Sequence, residues 1–175
     1  VIGPLISSRQ QERVRDYIRS GQADGARLVL GGTELPDGLD SGWYVRPTLF
    51  VDADNSMTIA REEIFGPVLT VIGYRDEEEA IEIANAVDYG LSAGVWSRDF
   101  DTCLTIGRKV RAGTIWMNTF MDGASELPFG GFKQSGLGRE LGQTPLESQS
   151  VQLRGRRLQA YFIPDLWPRL HTIRP

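Results

Sequence analysis

Cysteine and histidine occur once each in this 175-residue chain, as Cys103 and His171. A lone thiol cannot close an internal disulfide, and no Cys/His cluster has the spacing of a zinc site. Positive charge is also short: 19 lysines and arginines face 23 acidic residues, for a net charge of -4. That balance excludes the broad basic surface that meets nucleic-acid phosphates. No apolar run approaches the about 20 residues that cross a bilayer. The first methionine is Met57, and the opening residues carry no pattern of an initiator, signal peptide or transit peptide. The expectation is a trimmed terminus or a piece of a longer polypeptide, in a reducing, cytoplasmic setting.

What is present belongs to a globular domain. The chain is 41% hydrophobic and 24% charged, and is long enough to bury a core. Ser8 and Gln11 have capping-box spacing, and Val14, Tyr17 and Ile18 continue at helical spacing to Gly21. A short strand over Arg27 to Leu30 ends at Gly31-Gly32, and Tyr44 to Val51 reads as extended. The chain then alternates. Val68 to Tyr74, Leu91 to Ser97 and Ala112 to Asn118 read as strands. Between them lie a helix capped by Asp76, with Ala80, Ile83, Ala84 and Val87, and a helix with Phe100, Cys103, Leu104 and Val110 on one face. Asp101 near the start of the second helix, and Arg108 and Lys109 near its end, suit the helix dipole. Strand–helix alternation with short links predicts an α/β fold, a parallel sheet with crossover helices. Gly142 to Ser148 reads as a short helix.

Three features are candidates for chemistry. In Arg61-Glu62-Glu63-Ile64-Phe65-Gly66-Pro67, a carboxylate and an aromatic stand two residues apart, on one side of an extended segment. The pair suits a ligand with a hydroxylated sugar beside a flat ring; the plain reading is a charged loop with one core phenylalanine. Glu126 to Glu140 interleaves glycines with aromatics, too ordered for a flexible linker. Its Gly136-Leu137-Gly138 is not a dinucleotide fingerprint, because the third glycine is misplaced and no strand leads into it. Cys103 lies at helical spacing with apolar neighbours and reads as a buried structural thiol. No nucleophile beside a base, and no acid–base pair, stands out elsewhere.

Four ordered segments together resemble the aldehyde dehydrogenase superfamily. They are Ile2 to Ser7, Met57 to Pro67, Asn85 to Ser97 and Ala112 to Glu140, covering Val1 to about Leu141. The resemblance implies part of that family's catalytic domain. It implies that Glu63 hydrogen-bonds the nicotinamide-side ribose of NAD or NADP and that Phe65 packs near the nicotinamide. Gln10 and Arg13 fall where residues near the adenosine half lie. Phe120 and Phe129 match positions lining the aldehyde tunnel, and Gly123 falls where many members carry a bulky side chain. The wording Glu126 to Gly131 is most similar to the betaine aldehyde and aminoaldehyde branch. By that likeness, Lys133 and Gly136 donate backbone carbonyls to a potassium ion at a subunit contact, and Glu140 belongs to a charge relay.

The family's mechanism is covalent: a cysteine thiolate attacks the aldehyde, hydride passes from the hemithioacetal to the nicotinamide, and a glutamate activates water to hydrolyse the resulting thioester. In the family these groups, with the nucleotide-binding domain, lie upstream of the segment matching Val1. The implied whole oxidises a small aldehyde to its acid, as a homo-oligomer, with the catalytic cysteine absent from this chain. The alternative is a non-catalytic module that binds a nucleotide or a partner. Residues 1–142 read as the family portion and 143–175 as a divergent tail. The stretch Val151 to Pro175 holds five arginines, one aspartate and three prolines. The whole chain uses 17 arginines and 2 lysines, so an altered reading frame in a GC-rich gene and true divergence both remain open.

Overall fold

The structure is a computed structural model that describes residues 2–122, 127–136 and 138–141, with the backbone of 157–160. The chain divides into two compact units, Val1–Arg75 and Asp76–Pro175.

The first unit is built on α1 (Ser8–Ala23). Ser7 is the cap, one residue before the expected Ser8: its backbone is extended and its hydroxyl accepts from the Gln10 N–H at 3.2 Å. Gln11, Val14, Ile18 and Gly21 fall on the buried face. The helix does not stop at Gly21, where a Cβ would lie 2.7 Å from Ile59 Cδ1. Glycine serves there as a place of close approach. The turn comes at Gly25, whose φ of 98° suits a helix C-terminus. Buried Gln11 donates its Nε2 to the carbonyls of Tyr44 (2.8 Å) and Gly42 (3.2 Å), tying the turn-rich stretch to the helix. Strands β1 (Arg27–Leu30), β2 (Thr48–Val51) and β3 (Val68–Thr70) form a sheet in that order. β1 is antiparallel to β2, and β3 is parallel to it, with Thr48 opposite Val68. A one-turn helix α2 (Thr58–Arg61) makes the crossover. Val14, Ile18 and Phe50 have no exposed surface and centre a core with Val45, Met57, Ile59 and Ile64. Side chains of that kind stabilise by about 1.5–3 kcal/mol each when buried.

The second unit opens with α3 (Glu77–Asn85), capped by the Asp76 carboxylate on the Glu79 N–H at 2.9 Å, as its spacing predicts. The βαβ unit follows: β5 (Ser92–Val95), α4 (Phe100–Lys109) and β6 (Thr114–Met117). Asp99 caps α4, and Asp101 lies in its first turn, as expected. β5 and β6 are parallel, and β6 pairs on its other side with β8 (Arg157–Ala160), also parallel. Every residue of β6 is buried, as in a central strand covered on both faces. A two-stranded ribbon joins β4 (Tyr89–Gly90) to β7 (Phe132–Lys133). Val95, Cys103, Val110, Ala112, Ile115 and Met117 form the core.

The α/β class therefore stands, but the three expected strands do not share one sheet. β3 extends the first unit's mixed sheet, while β5 and β6 belong to the second unit's parallel one. The alternation of apolar runs carries no signal of which earlier strand a later one will join. The expected helix over Gly142 to Ser148 lies outside the described residues. Among the described residues, no helix is long and apolar enough to cross a membrane.

Candidate functional site

Between α2 and β3, residues 62–67 form a loop that presents side chains alternately. Glu63 and Phe65 are exposed, and Ile64 between them is buried in the core. Both exposed residues line an open concavity of about 390 Å³, with Ile59, Ala60, Thr70 and Ile72 among the others. The segment is not a regular strand: Phe65 sits at φ 52°, a left-handed conformation uncommon for a bulky residue, and its ring is 67% exposed. Gly66 follows because there is no room for more. A Cβ there would lie 2.5 and 2.7 Å from the two methyls of Val14.

Gln10 and Arg13 meet this loop through its backbone. Gln10 Nε2 donates to the carbonyls of Ile64 (3.1 Å) and Phe65 (3.0 Å), and an Arg13 guanidinium N–H to the carbonyl of Glu63 (3.0 Å). Arg13 also donates to the Tyr17 hydroxyl (3.3 Å) and stands over its ring, with 5.4 Å to the centroid. The Tyr17 hydroxyl donates in turn to the Glu62 carboxylate at 2.7 Å. Residues 10, 13 and 17 fall on one helical face, so the three side chains reach one loop together. Tyr17 was read only as part of the helix face and Glu62 only as part of the loop motif, not as partners. The signal was available, since Tyr17 is seven residues after Gln10 on the same face.

In the second unit, the carboxyl ends of β5 and β6 carry an aromatic group. Such strand ends are where open α/β sheets place their ligands. Trp116 on β6 is buried and meets Phe120 edge-on, with centroids 5.2 Å apart, while Trp96 after β5 lies 6.4 Å from the same ring. Phe120 and Trp96 are more than half exposed. Asn118, at φ 55°, holds the two strand ends together: its side chain accepts from the Ser97 N–H (2.9 Å) and donates to the Ser97 carbonyl (3.0 Å). Phe120 was expected to line a tunnel, and the structure places it, exposed, against buried Trp116, which was read only as part of a strand. Gly123 lies outside the described residues.

Phe129 and Glu140 are partners through the backbone, each N–H donating to the other's carbonyl at 2.7 Å in an isolated antiparallel bridge. The Glu140 side chain is left exposed. Lys133 and Gly136 belong to one tight turn, at φ 55° and 101°, closed by the Gly136 N–H on the Lys133 carbonyl at 3.3 Å. The Lys133 ammonium turns the other way and donates to the carbonyls of Val87 (2.8 Å) and Asn85 (3.0 Å). α3 has no basic residue in its own last turn, and Lys133 supplies the missing cation. Burial, with Arg111 nearby, pushes the Lys133 ammonium below its ordinary pKa, and Asp88 partly opposes this.

Cys103 is fully buried, and its thiol faces the Val95 carbonyl at 4.0 Å. Burial raises its pKa; the Ser97 backbone lowers it and the Asp99 charge raises it further. A thiol so placed is held protonated, away from the thiolate a nucleophile needs. Among the described residues, no group of three or more His, Cys, Asp or Glu side chains could hold a metal ion.

The profile described as "Aldehyde dehydrogenase family" matches residues 1–151. An aldehyde dehydrogenase homologue of Staphylococcus epidermidis is 51% identical over 146 residues, 83% of this chain and 30% of that protein. The crystal structure of a Mycobacterium tuberculosis aldehyde dehydrogenase complexed with NAD+ is 50% identical, with a TM-score of 0.80 over 84% of this chain and 30% of that one. A betaine aldehyde dehydrogenase of Staphylococcus aureus superposes with the same TM-score at 40% identity, over 84% of this chain and 30% of that one. The chain thus spans about 30% of the length of the relatives it matches.

Proposed function

Given that the chain belongs to the aldehyde dehydrogenase family, we propose that it supplies a cofactor clamp and one wall of the substrate tunnel to an enzyme oxidising a small aldehyde to its acid. The observation that carries the reading is the Glu62 to Pro67 loop: an exposed carboxylate and an exposed ring flank a buried anchor at the mouth of a concavity. Those groups fit a nicotinamide nucleotide. An ionised carboxylate only accepts hydrogen bonds, and Glu63 would take them from vicinal ribose hydroxyls. The Phe65 ring would pack beside a flat heterocycle. When bound, NAD or NADP is the two-electron acceptor of the oxidation. Phe120 and Phe129 would exclude water from the aldehyde, and Glu140 would serve a charge relay.

In this reading the attacking thiol is not Cys103 and belongs to polypeptide outside the present chain, which then acts within a cytoplasmic homo-oligomer. Potassium stands apart. Lys133 and Gly136 offer at most two carbonyls, one already accepting a turn hydrogen bond. Such an ion would need oxygens from elsewhere, and no step is routed through it.

The test is ligand-observed NMR of nicotinamide mononucleotide with the 175-residue chain. Weak binding is expected, with saturation reaching the ribose protons through Glu63 and the ring protons through Phe65. Glu63→Gln should reduce the first and Phe65→Ala the second. Binding indifferent to both substitutions, or no binding at all, would overturn the clamp.

A further inference from the structure

The contacts of α1 with the Glu62 to Pro67 loop run in strict order. As the loop advances through 62, 63, and 64 with 65, its partners step back along the helix from Tyr17 to Arg13 to Gln10. Three successive backbone carbonyls are thereby held by two side chains of one helical face, and Gly66 then rests directly on Val14. The loop has no ladder partner of its own at these positions, so without Gln10 and Arg13 its carbonyls would turn to water. Phe65 at φ 52° is the residue that most needs holding, because a left-handed conformation in a bulky residue persists only where its surroundings enforce it.

We propose that Gln10, with Arg13, is a positioning residue: it sets the backbone of Glu63–Phe65 so that carboxylate and ring point into the concavity together. This rests on the clamp reading above. It gives the two helix residues a different task from contact with the adenosine half of a cofactor, because the Gln10 amide donors are directed at the loop. The carboxamide is matched to the task. Its one NH2 group spans two adjacent carbonyls, which neither a carboxylate nor a shorter side chain can do.

The experiment compares the unaltered 175-residue chain with Gln10→Ala, Gln10→Glu and the control Arg9→Ala, an exposed residue on the same helix. Two readouts are taken from each. The first is the backbone NMR signature of residues 63–66, with the Phe65 coupling constant reporting φ. The second is affinity for nicotinamide mononucleotide. Both Gln10 variants should release Phe65 from the left-handed region while the resonances of β2 stay in place. They should weaken binding about tenfold, as the loss of two neutral hydrogen bonds implies. Arg9→Ala should change neither.

Unshifted 63–66 resonances in both Gln10 variants would overturn the proposal. So would a shifted loop that binds the nucleotide as well as before. If the unaltered chain binds no nucleotide, the clamp reading fails and this role in cofactor positioning fails with it. The loop resonances would then still report whether Gln10 shapes the backbone, which keeps the two failures apart.

Discussion

Gly66→Ala is the substitution whose cost can be worked most directly from the structure. The added Cβ would lie 2.5 and 2.7 Å from the Val14 methyls and 3.2 Å from its Cβ. Contacts below 3 Å must be relieved by movement, and Val14 has no exposed surface into which to move. Gly66 is not at positive φ, so the penalty is steric rather than conformational. Overpacking of this kind costs about 1–3 kcal/mol. Val14→Ala alone should cost a similar amount, about 1.5–3 kcal/mol, because it deletes two buried methyls and leaves a void. The two changes together should cost less than their sum. The methyl added at 66 would enter the space vacated at 14, giving a favourable coupling of about 1–2 kcal/mol. Native-state hydrogen exchange across α1 and β2, measured on all four members of the cycle, reads the free energies where they act. A Gly66→Ala chain as stable as its parent would refute the reasoning. So would an additive cycle, since it would mean that the loop moves away from the helix at little cost.

Three further outcomes follow. Cys103 should resist thiol reagents in the native state and react only on unfolding; the purified chain should oxidise no aldehyde, and Cys103→Ala should leave that baseline unchanged. Asp99 is held below the ordinary carboxylate range, first by the Thr102 hydroxyl and then by the Asp101 N–H. A depressed folded pKa contributes stability above the unfolded value, lost as pH falls through the folded one. Asp99→Ala should therefore fray α4 at neutral pH and flatten the acid limb of its melting curve. Ile6 and Leu69 are 86% and 63% exposed, and apolar surface of this kind favours association. Light scattering should find the full chain self-associated; a monomer as stable as a version ending at Ser150 would count against it.

The sequence was most legible where a local device fixes a local structure. Asp76 and Glu79 announced the start of α3, and the apolar face of Cys103 and Val110 announced a helix packed on a sheet. It was less legible where a side chain acts at long range. Gln10 and Arg13 attracted attention only through family likeness, which pointed toward a cofactor; the partners they hold in the structure lie 50 to 55 residues away. Nothing in helical periodicity distinguishes a donor aimed at solvent from one aimed at a distant carbonyl. Ser7 and Asp99 were missed as caps for a smaller reason. Ser8 offered equally good capping chemistry one residue on, and Asp101 marked the first turn of α4 without marking its cap; only the backbone angles decide. The positive φ of Phe65 was invisible because its residue type argues against it.

The bridge between Phe129 and Glu140 is made by main-chain atoms alone, so it places no demand on what either side chain is. Over generations the two positions can drift independently. The side chain at 129 can be resized without any compensating change at 140. The helix–loop contacts are one-sided: the Gln10 amide must stay, because it holds the main-chain carbonyls of residues 64 and 65, but the contact does not constrain the side chains at 64 and 65. Within one chain, then, selection would see one pair of positions as unlinked and, at Gln10, a demand that its partners' side chains do not share.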